Sequence, residues 1–354
     1  MDLALARSTF ASAVSKAQQR DEKPSIEWLN HARSVFRFSS KSYTPVFATV
    51  LLGRATDPTV DPWSIKQSQD NPNSYSIRTL GENALIPGAR EANMTLRTTG
   101  PQPFNNSPWG KFDRIDQISR VKNRAQHDEF IQIIDRVSQL DQQGAFDALV
   151  AFIRVSLDEA SSIARIELPT GTISQNNLAR AVDDFLGQDM TDRPRRLQAF
   201  AAACLDLNFS DVHTRRLNDP SRDVPGDVQA FIGDEVVLSI EVRGKTVSKA
   251  DIDTFVDRCA VAGIHRCGLF VDAPNQPHLE LSESDSVNYR AATIHFELFN
   301  SAEAFLNFAL FWSEKAPLEA TTLLANRFLA RLKEIETPSN ALEQWRHAIT
   351  LMQN

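Results

Sequence analysis

The stretch VVLSIEVRGK, from Val236 to Lys245, constrains this chain more than any other. Side chains on a strand point alternately to opposite faces. Val236, Leu238, Ile240 and Val242 fall on one face, and Val237, Ser239, Glu241, Arg243 and Lys245 on the other. A wholly apolar face has to be covered by a second layer. The other face ends in a carboxylate followed by two cations. Just upstream, DVQAFI runs into Gly233-Asp234, a pair suited to a tight hairpin turn. Pairing the two runs brings Asp227 towards Glu241 and lets Asp227 and Gln229 share its face. On spacing alone, the charged face also fits a solvated edge strand, and Pro-Gly-Asp also fits an ordinary turn.

The neighbouring segments place this hairpin in a sheet. RPRRLQAFAAACLDL predicts an Ala-rich helix from Arg193, and VHTRRL, DVQAFI and EVVLSIEVR predict three short strands. A helix follows in SKADIDTFVDRCAVAG, with Ser248 as its N-cap and Gly263 as its stop. HRCGLFVDA reads as a buried strand, TIHFELF as another, and helices occupy the chain from Ser301 onward. Three meandering strands with a helical crossover to a fourth make a mixed sheet flanked by helices.

The first half differs. Residues 1–55 predict two or three helices, one capped by Ser25 and one opened by Pro45. Residues 56–112 are rich in Asn, Pro, Gly and Ser, which is loop chemistry, but Trp63, Tyr75, Phe104, Trp109 and Phe112 argue against disorder. Residues 113–163, including FDRIDQISRV, read as helical. The expected fold class is α/β: a mixed central sheet flanked by helices over residues 166–354, with C-terminal helices, behind a largely helical region over 1–165.

Several function classes are excluded by bulk properties. Of 354 residues, 42% are hydrophobic and 23% charged, and the net charge is -7, which rules out a uniformly basic nucleic-acid binder but not a local basic surface. No apolar run reaches the ~18 residues that span a bilayer. The N-terminus carries acid and base too early for a signal peptide, and the three cysteines, Cys204, Cys259 and Cys267, fit reduced thiols better than a disulfide or zinc framework. These features point to a soluble cytoplasmic protein. The seven histidines show no metal-ligand spacing, and no GxSxG, P-loop or GxGxxG is present.

Two carboxylates converging at a sheet end offer hard oxygen ligands suited to Mg²⁺. A cation beside them can orient a water or meet the charge that grows on an attacked phosphate. The block PGDVQAFIGDEVVLSIEVRGKTVSKADIDTF resembles the PD-(D/E)XK nuclease core. Asp227 stands at the motif's aspartate and Glu241 at its second acidic position, with Gly226 intervening after Pro225. Arg243 occupies the usual lysine position; it keeps the charge but cannot deprotonate as lysine can. Lys245, two residues on, is the other candidate cation. NDPSRDVPGDV, IEVRGKTVSKADIDTF, SYSIRTLGENALIP and GPQPFNNSPW together resemble type II restriction endonucleases of the SacI-like family. That resemblance implies Mg²⁺-dependent cleavage of double-stranded DNA at a short symmetric site, a homodimer, and a methyltransferase that protects host DNA. A repair or structure-specific nuclease on the same core, or a DNA-binding protein that no longer cleaves, are the alternatives, the last prompted by Arg243.

An acidic protein that holds DNA needs local cations. Trp28–Thr56 contains no Asp or Glu and carries Arg33, Arg37 and Lys41 at four-residue spacing, one helix face if the helix runs that far. Ala92–Phe112 is also acid-free and carries Arg97, Asn105, Asn106 and Lys111; Arg and Asn are the side chains that read G and A bidentately. The two asparagines equally suit turns. Arg193, Arg195 and Arg196 oppose the dipole at a helix start, which suggests phosphate contacts, though solvent exposure also tolerates it. No acid in RLQAFAAAC supplies a further carboxylate, and Gln198 or a water is the candidate for that place.

Overall fold

The computed structural model describes residues 1–19, 23–97, 104, 108–188, 192–214, 224–291, 293–335, 337 and 339–353. The chain divides into two units, Met1–Arg165 and Ile166–Asn354.

The first unit is helical. α1 (Leu3–Gln18) starts where the Asp2 carboxylate accepts from the amides of Ala4 and Leu5. α2 (Ile26–Arg37) is followed by α3 (Tyr43–Thr56), which is apolar all round and accordingly buried along nearly its whole length. α4 (Ile77–Leu80) runs through a π-helical turn, Gly81–Leu85, into α5 (Ile86–Glu91). α6 (Arg124–Ser138) and α7 (Gln142–Arg165) complete the unit, α7 packing on α1, α2 and α3. Phe47 sets its ring edge-to-face on Phe130 and Phe152 at its centre. Two expectations are corrected here. FDRIDQISRV forms only a 3₁₀ turn, Ile115–Gln117, and the helix begins at Arg124, where the Asn123 side chain accepts from the Gln126 amide. The Asn- and Pro-rich stretch is not all loop: it contains α4 and α5, and Tyr75, Phe104 and Trp109 are buried in the core. Phe104 lies on Gly81 so closely that a Cβ there would overlap its ring.

The second unit is built on a sheet. α8 (Gln175–Gly187) and α9 (Arg193–Leu205) precede β1 (Asp211–Thr214), β2 (Val228–Ile232) and β3 (Glu235–Arg243). α10 (Lys249–Val261) crosses to β4 (Arg266–Val271), and α11 (Glu283–Ala291) crosses to β5 (His295–Phe299). α12 (Ala302–Phe311), α13 (Pro317–Glu334) and α14 (Ser339–Met352) close the chain. Among the described residues the sheet order is β1-β2-β3-β4-β5; the first two pairings are antiparallel and the last two parallel. This is the expected mixed sheet. VHTRRL is a strand as far as Thr214, and its remainder lies outside the described residues.

Helices cover both faces of the sheet. α9 packs on β1, β2 and β3, and its Phe200 meets Phe270 of β4 at a ring-centroid distance of 6.0 Å. On the other face Ile252, Phe255, Val256 and Cys259 of α10 form a buried cluster with Cys267, Leu269 and Val271 of β4. A β-bulge adjusts the register: Ala230 pairs with Leu238, but Phe231 pairs with Val236. Val236 therefore leaves the Leu238–Ile240 face and joins the α10 cluster, against simple alternation.

Candidate active site

Asp227 sits one residue before β2, in a turn whose every carbonyl is tied down. Gly226 adopts φ +93°, and a Cβ there would overlap Ser239 Oγ and lie 3.2 Å from the Ile240 carbonyl oxygen. Glycine is required because the turn must press against β3. Ser239 Oγ donates to the Pro225 carbonyl (2.6 Å), Gln229 Nε2 to that of Gly226 (2.8 Å), and Gln198 Nε2 to that of Asp227 (3.0 Å). Ser239, Gln229 and Gln198 are all buried. The Asp227 amide donates to the Ile240 carbonyl (2.8 Å), and its Oδ2 accepts from the Val242 amide (2.9 Å). These two bonds fasten Asp227 to β3 at the residues on either side of Glu241. Asp227 and Glu241 therefore lie across the hairpin from each other. Gln198 holds the backbone of Asp227 through its bond to that carbonyl.

Glu241 lies on the α10 side of β3 and is only 6% exposed. Its charge reaches the Cys259 thiol behind it, which is pushed up by its hydrogen bond to Cys267, by burial, and by the Glu241 carboxylate. All three cysteines are free and buried. Arg243, two residues along the same face, donates from Nη2 to Glu241 Oε1. Its side chain is 43% exposed, so the guanidinium closes Glu241 off from solvent while remaining reachable. β3 ends at Arg243, and Lys245 lies beyond it in a bend, exposed and without an ion pair among the described residues. The alternation that put Lys245 on Glu241's face therefore does not extend to it.

Comparison with known proteins bears on what this arrangement does. Residues 5–159, within the first unit, match the family model of the SacI restriction endonuclease N-terminal domain. The whole chain is similar to the type II restriction enzyme SacI of Streptomyces achromogenes, 31% identical over 357 residues, covering 98% of each chain. The chain belongs to the SacI family of restriction enzymes. Within the SacI-family fold, the other residues singled out from the sequence fall into three groups.

Some are committed to the fold. α2 stops at Arg37, so Lys41 is not on one face with Arg33 and Arg37; it is 8% exposed. Arg97 donates from Nη1 to the carbonyls of Val35 (3.4 Å) and Phe38 (2.9 Å), capping α2. Arg193 and Arg196 oppose the dipole of α9 because they serve the previous helix: they donate to the Leu186 (2.7 Å) and Phe185 (2.6 Å) carbonyls at the C-terminus of α8. Arg196 is 1% exposed, lies over the Phe185 ring, and is turned inward rather than towards a ligand. A second group stays near the surface: Arg33, Arg37 and Lys111 are exposed, and Arg195 is half-buried with Asp192 Oδ1 at 3.5 Å. Asn105 and Asn106 lie outside the described residues. Sequence reasoning missed the anchoring role of Ser239, for which a small polar residue in an apolar strand was the available signal. No described helix is long and apolar enough to cross a membrane.

Proposed function

We propose that this protein is a type II restriction endonuclease that hydrolyses phosphodiester bonds of double-stranded DNA at a short, symmetric sequence, with a PD-(D/E)XK-type centre in its second unit. The observation that carries this reading is the fastening of Asp227 to β3 on both sides of Glu241, in a chain similar to SacI along almost its whole length.

The donor set suits Mg²⁺. Asp227 and Glu241 offer hard oxygens, and among the described residues no group of three Asp, Glu, His or Cys forms a closed cage. Mg²⁺ is commonly held by one or two carboxylates while it keeps several waters. The chemistry such an ion supplies is polarisation of a water and of the scissile phosphate. The protein's part is to hold the two carboxylates in fixed relation, through the Pro225–Asp227 turn and β3. Arg243 is placed to meet the negative charge that grows on the attacked phosphate, once its hold on Glu241 is exchanged for the substrate. Lys245, outside the strand, is the second cation within reach of the same end of β3. The first unit serves recognition and dimerisation in this reading, with Arg33, Arg37 and Lys111 exposed for DNA, and Arg195 contributes from the second. A symmetric site calls for a twofold homodimer, and a methyltransferase of matching specificity would protect the host's own DNA.

The Arg243–Glu241 pair is the one observation that favours a non-cleaving DNA-binding protein. Incubation of the purified protein with bacteriophage DNA and Mg²⁺, against an EDTA control, separates the readings. Sharp metal-dependent fragments are expected. Metal-independent binding without cleavage, with Mn²⁺ also tried, would support the non-cleaving reading, and branch-dependent nicking a structure-specific nuclease.

A further inference from the structure

Three stretches of the first unit carry no acidic residue: Trp28–Thr56, Ala92–Phe112 and Gln117–His127. The fold joins all three at the C-terminus of α2 and the link into α3. From the second stretch, Arg97 caps α2, and Trp109 donates from Nε1 to Ser42 Oγ (2.8 Å) with its ring edge-on to Tyr43. From the third, Gln126 Oε1 accepts from both the amide and the hydroxyl of Ser39 (2.9 Å each), and His127 Nδ1 meets the Tyr43 hydroxyl at 3.1 Å. Segments far apart in the chain thus meet at one place, and none of the three contains an acid.

The cations here divide clearly. Lys41, Arg54 and Arg97 are used inside the fold, Arg54 donating to the Val60 and Ser138 carbonyls, among others. Arg33, Arg37, Lys111, Arg120 and Lys122 are exposed and make no ion pair among the described residues. Acids beside these stretches in the chain are engaged: Asp113 with Lys66 (2.9 Å), Asp116 with Arg114 (2.9 Å), Asp128 with Arg124 (2.9 Å), Glu27 with Arg136 (2.8 Å), and Glu129 with the Ser34 hydroxyl. Five exposed cations without ion pairs among the described residues, on segments that these contacts tie together, in a protein of net charge -7, point to a surface for a polyanion.

We propose that this surface, formed by Arg33 and Arg37 of α2, Lys111, and Arg120 and Lys122 ahead of α6, grips the phosphate backbone of duplex DNA. The choice of duplex DNA rests on the endonuclease reading above. Arg120 and Lys122 are new to that reading; the third stretch acquires its meaning only through the contacts that seat it beside the first. These are position-setting contacts rather than base-reading ones, since flexible surface cations on phosphate carry no sequence information.

The test is equilibrium binding of a fluorescent duplex to the full-length protein in EDTA, which prevents cleavage, across 50–200 mM KCl. Each lost phosphate contact lowers the slope of log K against log salt by about 0.9. Arg120→Ala/Lys122→Ala and, separately, Arg33→Ala/Arg37→Ala are expected each to lower it by about 1.8, with the melting temperature unchanged. All four positions are exposed, so folding is preserved. Unchanged slopes and affinities in both variants, with wild-type protein binding the duplex, would overturn the assignment while leaving the endonuclease reading intact. Reduced slopes in a protein that cuts no DNA would uphold the surface and remove the endonuclease reading. Failure of the wild-type protein to bind duplex at any salt overturns the surface outright.

Discussion

Replacing Gly226 by alanine tests how the candidate centre is assembled. The added methyl group overlaps Ser239 Oγ and approaches the Ile240 carbonyl oxygen to 3.2 Å, at a φ of +93°. A non-glycine residue held at such a φ costs about 1–3 kcal/mol. Moving the turn away also breaks the Ser239–Pro225 bond in a buried site, which adds about 1–3 kcal/mol. A loss of about 2–6 kcal/mol is expected in chemical denaturation of the second unit's transition, or roughly 2–4 °C in melting temperature per kcal/mol. Cleavage should fall further than stability accounts for, because the shift carries Asp227 off β3. The double variant Gly226→Ala/Ser239→Ala removes the overlapping hydroxyl and should be more stable than Gly226→Ala alone, although Ser239→Ala by itself destabilises. Wild-type stability in Gly226→Ala, or no recovery in the double variant, would refute the crowding on which the account of this turn depends.

Asp227→Ala and Glu241→Ala should each abolish Mg²⁺-dependent cleavage of phage DNA while leaving duplex binding in EDTA intact; full cutting by either variant removes the site assignment. Arg243→Ala should lower the single-turnover rate by about 10²–10³-fold if the guanidinium meets transition-state charge, and Lys245→Ala by much less; the reverse order would make Lys245 the working cation. Gln198→Met leaves the Asp227 carbonyl without its side-chain donor and should cost about 1–3 kcal/mol, read by urea denaturation, with a raised Mg²⁺ requirement for cleavage. His127 is buried, and burial, followed by the charge of Arg124, holds its pKa below the ordinary 6.5. The unfolded chain therefore takes up the proton first, and this contribution, fully present above about pH 6.5, is lost as pH falls towards the folded value. Melting of the first unit between pH 7.5 and 5 should show that decline, and His127→Gln should flatten it.

What could be read from the sequence was whatever is encoded within a few residues. Gly233 at φ +61° turns the hairpin, Ser248 caps α10 and forms a capping box with Asp251, and Gly263 at φ +72° ends that helix region. Asp227 and Glu241 could be singled out as candidate acids because they flank one hairpin. Features set by distant partners were not. The bulge opposite Ala230–Phe231 has no local marker, yet it moves Val236 to the other face. Arg193 and Arg196 look like ligand contacts only while the carbonyls of α8 are out of view, and α8 itself, bracketed by residues of mixed character, was not anticipated. Lys41 was placed by extrapolating a four-residue spacing past the end of α2. For Val236 and for the two arginines the deciding feature was a register shift or a backbone carbonyl, neither of which leaves a residue-type signature.

The pinned turn ahead of β2 also bears on how the protein's activity should respond to heat. The amides of Asp227 and Val242 are closed by hydrogen bonds beside a central strand covered by helices on both faces. Such amides exchange with deuterium only through the rarest openings of a fold. The candidate centre is thus expected to open with the core of the second unit, unlike sites carried on loosely held loops. Warming should leave it geometrically intact until that unit melts as a whole, so heat inactivation and deuterium uptake at these two amides should share one temperature.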